Sequence, residues 1–130
     1  NKTDFERLTS HPGQEKDLFW SSETDQLFFV HSAKGLDRLI ALGRDNKQEV
    51  QYFSRKSEIS SPIVLKKDKA LYWLESLPGQ NKYTLFQKKK TRSRPLLHSP
   101  SRILMMRPNY SSEELLIAFA TGLGREIWGF

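Results

Sequence analysis

Leu27-Phe28-Phe29-Val30 and Leu71-Tyr72-Trp73-Leu74 decide the fold. Both are short apolar runs rich in aromatics, and the second follows the first at an offset of 44 residues. The offset continues without a gap. Ser32 meets Ser76, Gly35 meets Gly79, Leu39 meets Tyr83 and Leu42 meets Phe86. A second step of 44 reaches Leu115-Leu116-Ile117-Ala118, with Ile127 at the place of Leu39 and Tyr83. Leu8-Thr9-Ser10, Tyr52-Phe53-Ser54 and Leu96-Leu97-His98 fall in one column. Glu15, Ile59 and Ile103 fall in another, and Leu18, Pro62 and Met106 in a third.

A period near 44 suits a four-stranded β-propeller blade, but helical repeats of similar length exist. The local pattern separates them. The apolar runs are short and bounded by Gly, Pro, Ser and Asn, which reads as strands. Eight Phe, four Tyr and three Trp favour strands too. Ser112-Glu113-Glu114-Leu115 looks like a capped helix start, but in repeat register it falls on the turn and strand matched by Gln26 to Phe29. The expected first strands are Lys16 to Trp20, Ile59 to Val64 and Ile103 to Arg107. The second are Gln26 to His31, Ala70 to Glu75 and Leu115 to Ala120. The third are Arg38 to Leu42, Tyr83 to Gln87 and Glu126 to Phe130. Lys34-Gly35, Pro78-Gly79 and Gly122 to Gly124 join second to third strands, with Gly supplying the positive φ of tight hairpins.

The fold class expected is therefore all-β, a propeller array of about three four-stranded antiparallel blades, half of a six-bladed ring. Residues 1–10 supply an outer strand centred on Phe5 to Ser10. Blades follow at 11–54 and 55–98, and 99–130 form a three-stranded partial blade. Closed propellers have four to eight blades. Raw edges invite pairing, so the expectation is either that two chains, as a homodimer, complete a six-bladed ring or that the rest of the ring belongs to the parent chain.

Composition narrows the chemistry. The chain of 130 residues has no cysteine, which removes disulfides, zinc-thiolate sites and a cysteine nucleophile. The net charge of +6 favours acidic partners or anionic surfaces. No segment approaches the roughly 18 apolar residues of a membrane helix. The first residue is Asn1, not Met, so the chain reads as a piece of a longer protein.

Leu8-Thr9-Ser10-His11-Pro12-Gly13-Gln14-Glu15, then Phe19-Trp20-Ser21-Ser22, then Gln26 to Val30, resembles the TolB-type propeller repeat. Arg107-Pro108-Asn109-Tyr110-Ser111-Ser112, followed by Leu115 to Phe119 and Glu126-Ile127-Trp128, is similar. Ser22-Glu23-Thr24-Asp25 and Lys66-Lys67-Asp68-Lys69 depart from that repeat's Pro-Asp-Gly turn. The first stretch also resembles the periplasmic propeller of CadC/ToxR-like bacterial transcription regulators. That resemblance implies an extracytoplasmic sensor of a membrane-bound regulator. It also implies a protein or small ligand at a propeller face, membrane attachment only through a helix elsewhere in the parent, and no direct DNA contact.

The chemistry-bearing candidates are few. Lys88, Lys89, Lys90, Arg92 and Arg94 form a basic run that could grip phosphates. The plainer reading is a solvated loop whose lysines protect a sheet edge. Trp20, at the end of a first strand, is a second candidate for partner binding. Trp73 shares a column with Phe29 and Ile117, so it is expected in the core. His11, His31 and His98 have no ligand-like spacing, and no Gly-x-Ser-x-Gly elbow occurs. No cofactor, metal site or catalytic residue is expected. A non-catalytic binding module is the leading reading. The gating propeller of a serine peptidase and a basic nucleic-acid-binding module are the alternatives.

Overall fold

The computed structural model describes Leu8, Thr9, residues 12–121 and residues 124–130. They form eleven strands and no helix. The first sheet is β1 (Gln14–Ser21), β2 (Gln26–Ala33), β3 (Leu36–Gly43) and β4 (Gln48–Ser54). The second is β5 (Glu58–Val64), β6 (Leu71–Ser76), β7 (Tyr83–Lys89) and β8 (Arg92–Ser99). The third is β9 (Ile103–Pro108), β10 (Leu115–Thr121) and β11 (Gly124–Gly129). Every neighbouring pair is antiparallel, and each sheet is a simple meander in chain order. The expected grouping of four, four and three strands is what the described residues form. The outer strand expected over Phe5 to Ser10 lies largely outside the described residues, and Leu8 and Thr9 are not in a strand.

The repeat is written in the backbone more clearly than in the side chains. Left-handed φ angles recur 44 residues apart at Asp17 and Ser61, at Asp25 and Lys69, at Gly35 and Gly79, and at Asn46 and Lys90. The first strand carries an irregularity at the same place in the first two sheets, between Lys16 and Phe19 and between Ser60 and Ile63, whereas in the third it lies earlier in the strand, between Ile103 and Met105. The turns at Ser22 to Asp25 and Lys66 to Lys69 differ in sequence from the Pro-Asp-Gly pattern. Both still end on a left-handed residue, at φ 56° and 54°. Lys34-Gly35 closes the β2–β3 hairpin with two positive φ angles, of 51° and 74°, as a type I′ turn requires.

One expected correspondence is corrected. Val30 pairs with Leu39, whereas the matching Leu74 pairs with Leu85, not Tyr83. The third strand of the second sheet is thus displaced by 46. The two extra residues lie in the connection 77–82. Strand side chains alternate faces, so a shift of two preserves which residues point inward. Leu39 and Leu85 are both 0% exposed. In the fourth strand Asp37 pairs with Ser54 and Tyr83 with Ser99, so Ser99, not His98, takes the place of Ser54.

The sheets pack face to face through two apolar layers. Phe28, Val30, Leu39 and Ala41 of the first sheet meet Ile59, Val64, Leu71 and Trp73 of the second. Ile63, Tyr72, Leu74 and Leu85 of the second meet Ile103, Met106, Leu115 and Ile117 of the third. Trp73 and Ile117 therefore each face the preceding sheet, and both are buried as expected. Phe29, in the same column, joins Ile40 and Leu42 in a separate cluster. At the other end, Met105, Leu116 and Ile127 lie exposed on one face of the third sheet. Ile127 occupies the column of Leu39 and Leu85, yet it is 74% exposed. The first strands of all three sheets converge, with Asp17 to Phe19, Ser61 to Ile63 and Met106 to Pro108 around a small cavity of about 170 Å³.

Candidate functional site

The basic run divides by role. It spans the end of β7, the turn Lys90-Thr91 and the start of β8. Lys88 is half-buried, and its Nζ donates to the Gln51 carbonyl at 2.9 Å, tying the second sheet to β4 of the first. Arg94 Nε donates to Gln87 Oε1 at 3.0 Å. Gln87 Nε2 donates to the Tyr72 hydroxyl at 2.9 Å, and that hydroxyl donates to Asp68 Oδ2 at 2.5 Å. Burial, then the Asp68 carboxylate, pushes the Tyr72 hydroxyl up to about 12. Lys88 and Arg94 are thus structural members. Lys89, Lys90 and Arg92 are exposed, and they make no hydrogen bond or ion pair among the described residues. Lys66, Lys67 and Lys69, in the β5–β6 turn, stand at the same end of the sheet.

Trp20 is 50% exposed and pairs with Leu27, on the face of the first sheet turned away from the second. The Arg44 guanidinium lies 5.9 Å from its ring centroid and is itself held by Asp25 at 2.6 Å. Trp20 and the Lys88–Arg94 hairpin belong to different sheets, and the fold does not join them in one site.

Another concave feature lies elsewhere. It is a cleft of about 510 Å³ at the seam of the first and second sheets, lined by Tyr52, Ser57, Glu75, Thr84, Phe86 and His98 among others. It opens at the end of β7 opposite the basic turn. Seven residues at roughly 3.3 Å each separate the two by about 20 Å. Its wall is aromatic. Trp73 and Phe86 stack with centroids 5.6 Å apart and planes at 6°, and Tyr52 of β4 tilts onto Trp73 at 4.8 Å. Edge and offset contacts of this kind add to simple area burial.

Glu75 supplies the charge. It shares a face of β6 with Trp73, and it is 7% exposed. Ser57 Oγ donates to Glu75 Oε1 at 2.6 Å, and Ser54 Oγ lies 2.6 Å from Ser57 Oγ. Glu75 Oε2 is sealed from solvent and has no hydrogen-bond partner among the described residues. Burial, and then the Glu75 carboxylate, pushes the Tyr52 hydroxyl up to about 12. Across the sheet Glu75 pairs with Thr84, and Thr84 with His98, whose Nδ1 lies 3.1 Å from Thr84 Oγ1.

No family model, curated protein or solved structure matches this chain. The site therefore has to be read from its own chemistry. It contains none of the six residues singled out from the sequence. Tyr52, Ser57, Glu75 and His98 come from four separate segments that only sheet packing brings together. The one trace in the sequence is Glu75, a carboxylate directly after the apolar run Leu71 to Leu74 and on the buried parity of Trp73.

Proposed function

We propose that the chain is a non-catalytic recognition module, a stack of propeller-type blades that holds a small ligand or a polypeptide segment in the seam cleft. The observation that carries this reading is a concave, largely apolar-walled space with a few polar side chains in its lining, Ser57, Thr84 and His98, as ligand sites commonly are. The propeller arrangement is supported by the recurring four-strand meander, the converging first strands and the repeated left-handed positions. The exposed face of Met105, Leu116 and Ile127 suits a further sheet. A second chain completing a six-bladed ring would supply one. Light scattering tests this: a dimer of twice 15.2 kDa supports it and a stable monomer removes it. The resemblance to regulator propellers makes an extracytoplasmic sensor the biological setting of this proposal.

The function is tested by screening a mixed panel of small molecules for thermal stabilisation, with Thr84→Trp as a variant that fills the cleft. Binders lost in that variant support the reading. Binders unaffected by it, or chemical conversion of a bound compound, overturn it.

A second reading rests on the cations gathered at the opposite end, on the β5–β6 and β7–β8 turns. Lysines and arginines clustered in this way supply non-specific affinity for nucleic-acid phosphates. No aromatic side chain lies within the run to stack a base, so the cleft reading is preferred.

A further inference from the structure

We infer that the two turns at the basic end of the second sheet form a site for a compact oligophosphate. Lys66, Lys67 and Lys69 of the β5–β6 turn hold it from one side, and Lys89, Lys90 and Arg92 of the β7–β8 hairpin from the other. The observation that carries this is a change of charge on an unchanged backbone. The β1–β2 turn of the first sheet is Ser22-Glu23-Thr24-Asp25. Its match 44 residues on is Lys66-Lys67-Asp68-Lys69, so Lys67 stands for Glu23 and Lys69 for Asp25. Asp25 and Lys69 share a left-handed backbone, at φ 56° and 54°. Asn46 and Lys90 are a second such pair, at φ 62° and 56°. Asp and Asn tolerate that conformation, whereas a residue without their short polar side chain is strained there. The fold favours Asp or Asn at both places, yet the second sheet carries lysine at both. Retained strain of this kind gathers at ligand-binding positions.

The charges are also left open. In the first sheet Asp25 of one turn holds Arg44 of the other at 2.6 Å, so the two turns neutralise each other. In the second sheet all six cations are exposed, and their side chains make no ion pair among the described residues. Asp68 does not offset them. Its Oδ1 accepts from the Ala70 amide at 3.0 Å and its Oδ2 from the Tyr72 hydroxyl at 2.5 Å, so its carboxylate is engaged within the sheet. The register sets the reach of the site. Leu71 pairs with Lys88 and Lys89 with Arg92, which puts both turns at one end of the sheet. Three strand spacings make the strip about 14 Å long. A short chain of linked phosphates suits such a strip, and lysine serves phosphate as a point charge. Longer polyanions fit less well. The Lys66 amide donates to the Ser112 carbonyl at 2.7 Å, which brings the exposed Glu113 and Glu114 of the next turn alongside. A duplex, or a broad sheet of singly charged lipids, would meet those carboxylates. A compact anion stays between the lysines. The cleft lies at the other end of β7, so either reading stands if the other fails. Two sources offer the group, a free oligophosphate and the multiply phosphorylated headgroup of a lipid.

The experiment is isothermal titration calorimetry of the whole chain with tripolyphosphate, orthophosphate and a duplex oligonucleotide at one ionic strength. It is repeated on the double variant Lys69→Asn with Lys90→Asn. Asparagine suits the left-handed backbone, so the variant should melt no lower than the parent. The expected result is saturable binding of tripolyphosphate, tighter than of orthophosphate and weakened by about tenfold or more in the variant. Unchanged affinity in the folded variant overturns the inference. So does orthophosphate bound as tightly as tripolyphosphate, or no binding of either. A duplex bound more tightly than tripolyphosphate overturns it in favour of nucleic acid. Cosedimentation with phosphatidylcholine vesicles only when they carry a phosphoinositide bisphosphate, reversed by tripolyphosphate, supports the site with a lipid headgroup as its source. Tripolyphosphate binding without cosedimentation supports it with a free oligophosphate. Amide shifts in the parent chain need no variant. Shifts at Lys67, Lys69, Lys90 and Thr91 on adding tripolyphosphate support the site should the variant fail to fold, and shifts confined to other residues overturn it.

Discussion

The backbone amide of Ser61 donates to Asp17 Oδ2 at 3.0 Å, and the two residues are the same position of the repeat in adjacent sheets. Each holds a φ of 56° at the irregular point of its first strand. The bond therefore joins one bulge to the next and fixes the two first strands in phase. Asp17→Ala is expected to lose about 1 kcal/mol of stability, the usual worth of a single hydrogen bond. Asp17→Asn keeps an oxygen acceptor and tolerates the left-handed backbone, so it should stay close to the parent. Urea unfolding measures both. Equal losses would show that the bond does not tie the sheets.

Leu85 and Ile127 occupy one column of the repeat but opposite environments, at 0% and 74% exposure. Leu85→Ala should cost about 2–5 kcal/mol, as buried leucine truncations do. Ile127→Ala should change stability by no more than about 0.5 kcal/mol, as exposed positions do. In a dimer that covers the third sheet, the second value would rise with protein concentration. Thermal unfolding at two concentrations separates these cases.

The basic turn yields a contrast within three consecutive lysines. Lys88→Ala removes the bond to the Gln51 carbonyl and should lower the melting temperature. Lys89→Ala should leave it unchanged. Lys90 sits at φ 56°, where an L-residue is unfavourable by roughly 1–2 kcal/mol and glycine is free of that strain. Lys90→Gly should therefore raise stability. Calorimetry of the three variants checks the order. For the nucleic-acid reading, binding to a duplex oligonucleotide must weaken steeply with salt, and a flat salt response would remove that reading.

Tyr52 and Tyr72 both ionise near 12 in the folded chain, against an ordinary value of 10.0. A raised folded value means that the unfolded chain loses these protons first. Their contribution to stability is complete below pH 10 and drains away as the pH climbs toward 12. Ultraviolet titration should show two tyrosinates forming late, together with unfolding. Tyr72→Phe should flatten the loss of stability with pH in that window, although it also gives up the bond to Asp68.

Strand positions were legible because the apolar runs are short and the turn residues unambiguous. Gly35 and Gly79 aligned the hairpins correctly, at φ 74° and 75°. The alignment failed only beyond Gly79, where the extra residues lie and no side chain marks the change. Leu85 and Tyr83 are both apolar enough to suit a core place. Only pairing with Leu74 decides between them. The basic run was visible as composition, but composition could not separate the engaged Lys88 and Arg94 from the exposed Lys89, Lys90 and Arg92. The cleft was almost invisible. Tyr52 and Glu75 are 23 positions apart in the chain, and their meeting depends on one sheet lying on another.

The longer connection between Ser76 and Tyr83 also bears on how such a chain can diversify. Measured from Leu39, a step of 45 would bring Thr84 to the packed place, and a step of 46 brings Leu85. Growth within this unpaired connection therefore leaves the strand pairing and the interior intact, whereas a single residue inserted into a paired strand would turn the side chains beyond it to the other face. The rim beside Leu77 and Lys82 borders the cleft. Its length can thus vary, reshaping the mouth of the cavity for different occupants while the apolar layers behind it stay unchanged.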